Sequence, residues 1–81
     1  MRHKINRKPT LKELHDAPFS SNIITGNQAW LSIDGASYYK IADNKWRRYS
    51  TNAHTIGGSM INDNDMYEIL KRGTNVNMQW D

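Results

Sequence analysis

Between Gln28 and Ser50 two tight-turn signals, Asp34-Gly35 and Asp43-Asn44, divide a run of strand-forming residues into three short segments. Asp-Gly between alternating apolar residues is a strong two-residue hairpin signal, because the favoured type I′ turn needs positive φ at both central positions. Asp43-Asn44 carries the same signal more weakly. Two turns of fixed length set the register, and register sets which face each side chain takes. Pairing through the first turn places Ile33 opposite Ala36, Leu31 opposite Tyr38 and Trp30 opposite Tyr39. Pairing through the second places Ala42 opposite Lys45, Ile41 opposite Trp46, Tyr39 opposite Arg48 and Tyr38 opposite Tyr49. One face then holds Ala29, Leu31, Ile33, Ala36, Tyr38, Ala42 and Tyr49, with Lys40 and Arg47 paired within it. The other holds Gln28, Trp30, Ser32, Ser37, Tyr39, Ile41, Trp46, Arg48 and Ser50. The first face has the aliphatic residues a core prefers; the second alternates aromatic and polar groups.

The flanking segments read as two short helices and one more strand. Residues 1–9 form an extended basic arm ending at Pro9. Thr10 followed by Glu13 is a capping box, in which each side chain serves the other residue's amide. The helix it opens is short, because Pro18 disfavours helical geometry at Ala17; Leu11 and Leu14 are its buried positions and Phe19 closes its end. Ile23 and Ile24 suggest an extra strand or an anchor. Residues 51–62, with Gly57-Gly58, read as a loop. A second helix follows, capped from Asn62–Asn64 or by an Asp65/Glu68 pair, with Met66, Ile69 and Leu70 as its apolar stripe. Lys71 and Arg72 complement its carbonyl end and Gly73 ends it. Asn75-Val76-Asn77-Met78-Gln79-Trp80 alternates polar and apolar without a fault, the cleanest strand pattern in the chain. The expected fold is a single small α+β domain over 10–81 in α-β-β-β-α-β order: a three-stranded antiparallel meander and a C-terminal strand with both helices packed on the sheet.

Size and composition then exclude several function classes. An 81-residue chain is one domain at most and buries a little more than ~60% of its unfolded surface. With no cysteine, disulfide staples and thiolate metal sites are ruled out. No apolar run approaches a membrane span and no signal peptide is visible, so the expected location is the cytoplasm. His3, His15 and His54 lack metal-ligand spacing. Asn62-Asp63-Asn64-Asp65 lacks the glycine and glutamate of a calcium loop and fits a helix N-terminus better. Gly57-Gly58-Ser59 lacks the lysine and spacing of a P-loop and reads as a hinge or tight turn. No nucleophile turn is present, and acid–base chemistry at His54 is the one enzymatic alternative. The chain is expected to be non-enzymatic and to need no cofactor.

What remains is binding. The formal net charge of +3 lies wholly in residues 1–22, where Arg2, Lys4, Arg7, Lys8 and Lys12 outnumber Glu13 and Asp16; the remainder is balanced. A basic arm on a neutral body suits phosphates or an acidic partner. Bases stack on exposed aromatic rings while cations track the backbone. The candidate nucleic-acid-binding residues are therefore Trp30, Tyr39, Trp46, Arg47, Arg48 and Lys45 on and beside one sheet face, with Arg2, Lys4, Arg7 and Lys8 on the arm. The helix–three strands–helix order resembles that of double-stranded RNA-binding domains, without their basic helix-start motif. The opposing reading makes Trp30 and Trp46 core, covered by Met66, Leu70, Val76 and Trp80. A third reading is protein recognition: a phage-type domain that binds a host enzyme, or a homodimer joined through the C-terminal strand.

Overall fold

The computed structural model describes residues 3–50 and 55–81. Eight elements follow in the order β1 (His3–Ile5), α1 (Leu11–Asp16), β2 (Trp30–Ile33), β3 (Ala36–Ala42), β4 (Lys45–Ser50), β5 (Thr55–Ile61), α2 (Asp63–Lys71) and β6 (Val76–Trp80). The six strands form one antiparallel sheet in the order β1-β6-β2-β3-β4-β5. The protein is a small α+β domain. Its element order contains two strands beyond the expected set. The arm expected to be extended is β1, paired along β6, and the expected loop at 51–62 contains β5, with Gly57-Gly58-Ser59 inside the strand. With β1, β5 and β6 all in the sheet, the likeness to the double-stranded RNA-binding order does not hold.

Local chemistry sets most boundaries. The Thr10 hydroxyl accepts from the Glu13 amide, and the Glu13 carboxylate accepts from the Thr10 amide at 2.8 Å, completing the capping box. Ala17, ahead of Pro18, is already extended at ψ 141° and α1 stops there. At α2 the Asn62 side chain caps the helix by accepting from the Asp65 amide, so the Asp65/Glu68 alternative is not used. Gly73 follows α2 for a steric reason: a Cβ there would lie 2.7 Å from Ile33 Cγ2. The Ile23-Ile24 segment is a turn, not a strand. The Asn22 side chain accepts from the amides of Ile24 and Thr25, and Ile24 is 89% exposed.

The first hairpin has the expected register. Asp34 and Gly35 both take positive φ, 48° and 89°, as a type I′ turn requires. The Asp34 carboxylate also accepts from the amides of Thr74 and Asn75, tying the turn to the start of β6 and holding the carboxyl below its ordinary range. The second hairpin differs. Only Asn44 has positive φ, at 58°, and the ladder shifts between Lys40 and Ala42, so Lys40 rather than Ile41 faces Trp46. One extra residue in β3 turns every β4 side chain over. Trp46 and Arg48 fall on the side of Leu31, Tyr38 and Lys40; Arg47 and Tyr49 fall on the side of Trp30 and Tyr39.

Both helices cover the first of these sides. Leu14 of α1 and Ala17 at its C-terminal end, Met66 and Leu70 of α2, and Leu31, Ile33, Trp46, Val76 and Met78 of the sheet form the buried core, with Ala29. A polar knot runs through it. The Trp46 indole N–H donates to the buried Asp63 carboxylate at 2.6 Å, whose second oxygen bonds His15 Nδ1 at 2.6 Å. Lys40, fully buried, donates to the carbonyls of Leu14 and His15 at 2.6 and 2.9 Å and sits 5.9 Å from the Trp46 ring centre. An ammonium at the last turn of α1 satisfies carbonyls that lack the amide of a further helical turn. Burial pushes the Lys40 pKa down, and the more distant Asp63, Asp43 and Asp16 pull it back up.

Candidate nucleic-acid interface

Among the described residues, no helix covers the second side of the sheet. Across it, cross-strand pairing aligns Lys4, Gln79, Trp30, Tyr39 and Arg47 in one row. A parallel row contains Asn77, Ser32, Ser37 and Tyr49. At the strand spacing of ~4.8 Å, the five-residue row is roughly 19 Å long. Its centre is aromatic. Trp30 and Tyr39 stack with ring centres 5.8 Å apart, and Tyr39 meets Tyr49 edge-on at 5.6 Å. Trp30 remains 38% exposed although it packs on a neighbour. Tyr39 is half-buried, and burial, with a smaller contribution from Tyr49, raises its hydroxyl pKa, so the phenol stays neutral at physiological pH.

Beside Trp30 the face dips into a shallow, open depression of about 180 Å³, lined by Ile23, Gly26, Asn27, Gln28, Trp30, Tyr39, Gln79, Trp80 and Asp81. The turn of residues 22–26 forms one bank and the end of β6 the other. Trp80 is held there by a stacked contact with His3, their ring centres 5.3 Å apart.

The expected site residues therefore separate. Trp30, Tyr39 and Arg47 stand together on the open face, with Lys4 at the far end of their row. Trp46 is core: it is 0% exposed, and its N–H is committed to Asp63. Arg48 is exposed but faces Tyr38 on the helix-covered side, so the expected Trp30/Tyr39/Arg48 row is in fact Trp30/Tyr39/Arg47. Lys45 is exposed at the β3–β4 turn. Two cations of the arm are used in folding. Arg7 makes two bonds to Glu13, at 2.8 and 2.9 Å, and Lys8 donates to the Lys71 carbonyl at the end of α2. The Arg7 guanidinium and the Thr10 amide together hold the Glu13 carboxyl down at about 2. Arg2 and His54 lie outside the described residues. Along Met78–Trp80 the C-terminal strand is paired with β1 on one edge, and β2 pairs along its other edge from Val76 to Gln79.

Sequence reasoning missed Tyr49 and Gln79, and put Gln28 on this face without marking it as a site residue. Tyr49 was misplaced by the single-residue shift in β3. Gln79 needed the position of β6 beside β2, which no local signal specifies. Among the described residues no group of three or more His, Asp or Glu side chains is placed to hold a metal ion, and no helix is long and apolar enough to cross a membrane. Compared with known proteins, the chain matches no family model, no curated protein and no solved structure.

Proposed function

We propose that this domain binds single-stranded nucleic acid across its open sheet face, without catalysing a reaction. The observation that carries the reading is the uncovered cluster of Trp30, Tyr39 and Tyr49, placed between Lys4 and Arg47. Every base has a π face, so a short aromatic row accepts bases of any sequence, provided they are unpaired and splayed from their neighbours. A duplex keeps its bases stacked and offers such a row little. The row therefore favours a single strand. Cations at its ends suit phosphates, and Lys45 at the adjacent turn adds one more exposed positive charge.

The test is titration of the whole chain with short single-stranded and double-stranded oligonucleotides, followed by tryptophan emission and repeated at several salt concentrations. Trp30→Ala and Tyr39→Ala should each lose about 1–3 kcal/mol of binding free energy. Affinity should fall with salt at a slope of about −0.7 per neutralised phosphate. Lys4→Ala should flatten that slope by about one such increment. No emission change at low salt, or undiminished affinity in Tyr39→Ala, would overturn the proposal.

A further inference from the structure

Two exposed apolar side chains stand on the uncovered side of the sheet, and the stacking cluster accounts for only one of them. Among the described residues the exposed large apolar side chains are Phe19, Ile24, Trp30 and Met60. Phe19 and Ile24 lie in the connection between α1 and β2; only Trp30 and Met60 belong to strands. Met60 is the penultimate residue of β5. Its neighbour Ile61 pairs with Trp46 and packs on the core. The alternation of a strand then turns Met60 to the open side, in keeping with its 53% exposure. The ladder shifts between Trp46 and Arg48, so residues 58–60 of β5 stand against Arg47 alone. Met60 therefore continues the row Lys4, Gln79, Trp30, Tyr39 and Arg47 onto the edge strand.

A lone exposed apolar residue is ordinary on a protein surface and needs no purpose. Place and chemistry set this one apart. The methionine thioether is unbranched, polarisable and adaptable, and it makes favourable contacts with aromatic rings. Bases are such rings, and each has a π face. Met60 lies three strands from Trp30, about 14 Å at the ~4.8 Å strand spacing. A base stacked on Trp30 does not reach that far. Stacked nucleotides advance ~3.4 Å each along a strand, so the span is about four steps, and fewer when the bases are splayed. One single strand can therefore meet Trp30 with one base and Met60 with another.

We infer that Met60 is a second base contact of the open face, holding a base about two to four nucleotides beyond the one on Trp30. This contact rests on the nucleic-acid reading above and extends the footprint across the sheet to β5. It also fixes the path of the bound strand, which crosses the protein strands instead of running along them. The other methionines leave Met60 free to report on itself. Met66 and Met78 are fully buried, and Met1 lies outside the described residues.

The experiment exposes the full chain to hydrogen peroxide, which transfers one oxygen to an accessible thioether and leaves the sulfoxide. Oxidation is followed by peptide mass spectrometry, with and without oligodeoxythymidylates from about two to about eight nucleotides long. Tryptophan emission reports binding in parallel. A saturating strand of about five nucleotides or more should slow Met60 oxidation severalfold. Met60→Ala should bind the longest strand about two- to tenfold more weakly than wild type, and the shortest with little loss. Undiminished oxidation of Met60 beneath a bound strand of that length would overturn the contact and leave the stacking face intact. Equal losses at every length would also overturn it, by making Met60 a support for the Trp30 site. No change in emission with any strand would remove the nucleic-acid reading itself, and this contact with it. Protection is read on the unaltered protein, so the test does not depend on the folding of Met60→Ala.

Discussion

Replacing Lys40 by methionine sets two effects of opposite sign against each other. The side chain is wholly buried, and taking an ammonium out of water is expensive, so a methionine of similar length should relieve that cost and pack well. Against this, Nζ donates to the carbonyls of Leu14 and His15, and α1, with six residues, has little else to satisfy its last turn. The Leu14 carbonyl keeps only a long bond from the Ala17 amide, at 3.4 Å. Losing the charged donor there costs about 1.5–3 kcal/mol; the part-buried His15 carbonyl, which water can reach, costs about 1 kcal/mol more. Relief of desolvation and the gain in apolar packing return roughly 1–2 kcal/mol. The carbonyls win, and Lys40→Met should lose about 2 kcal/mol. That is a large share of the ~4–12 kcal/mol expected for a domain this size, and lowers the melting midpoint by about 8–16 °C. Urea denaturation followed by far-UV circular dichroism measures it. A variant as stable as wild type, or more stable, would show that the ammonium is merely tolerated and that α1 is held by its apolar contacts.

Other expectations follow from the same contacts. Glu13 has its carboxyl lowered from 4.5 to about 2 by Arg7 and the Thr10 amide, so the stability it contributes is present above pH 4.5 and lost as pH falls from there through about 2. Unfolding free energies measured between pH 6 and 2 should decline less steeply for Glu13→Gln; parallel curves would refute the coupling. Thr10→Ala should cost ~1 kcal/mol at neutral pH through the lost cap. Trp46→Phe removes the N–H bonded to the buried Asp63 carboxylate and leaves a void, and should cost about 3 kcal/mol in chemical denaturation; a loss below about 1 kcal/mol would show that His15 alone suffices for that carboxylate. Two glycine variants separate sterics from backbone strain. Gly73→Ala drives a Cβ into Ile33 and should cost about 1–3 kcal/mol, whereas Gly35→Ala meets no atom within 4 Å and should cost ~1 kcal/mol for its positive φ alone. Equal losses in the two would contradict the close approach at Gly73.

Much of this architecture is written in short stretches of sequence, because its causes are local. Asp34-Gly35 specifies its own turn through the positive φ that both residues reach. Thr10 with Glu13 starts one helix, Pro18 ends it, and Asn62 starts the other. The spacing of Met66 and Leu70 marks the buried stripe of α2, and the alternation from Asn75 to Trp80 marks β6. Those signals suffice for an α+β domain and for the Trp30–Tyr39 pair. They do not suffice for β1 and β5. His3–Ile5 is too short to show a period, and Gly57-Gly58 inside a strand looks like a break; each becomes a strand only because a neighbour supplies the other half of its hydrogen bonds.

The face assigned to the second tryptophan lay beyond local reasoning. Nothing around Asp43-Asn44 reveals whether Ile41 stays in the ladder, and a strand's period of two turns one extra residue into a complete exchange of faces. The pairing observed places Trp46 where the Asp63 carboxylate, seventeen residues away on α2, accepts its N–H and where Lys40 sits against its ring. Arg47 then takes the outer position that the unshifted register gives to Arg48. The sequence by itself determined the turns, the caps and the aromatic pair on one hairpin. Only the tertiary structure decided which tryptophan is core and which faces solvent, since that choice depends on partners distant in the chain.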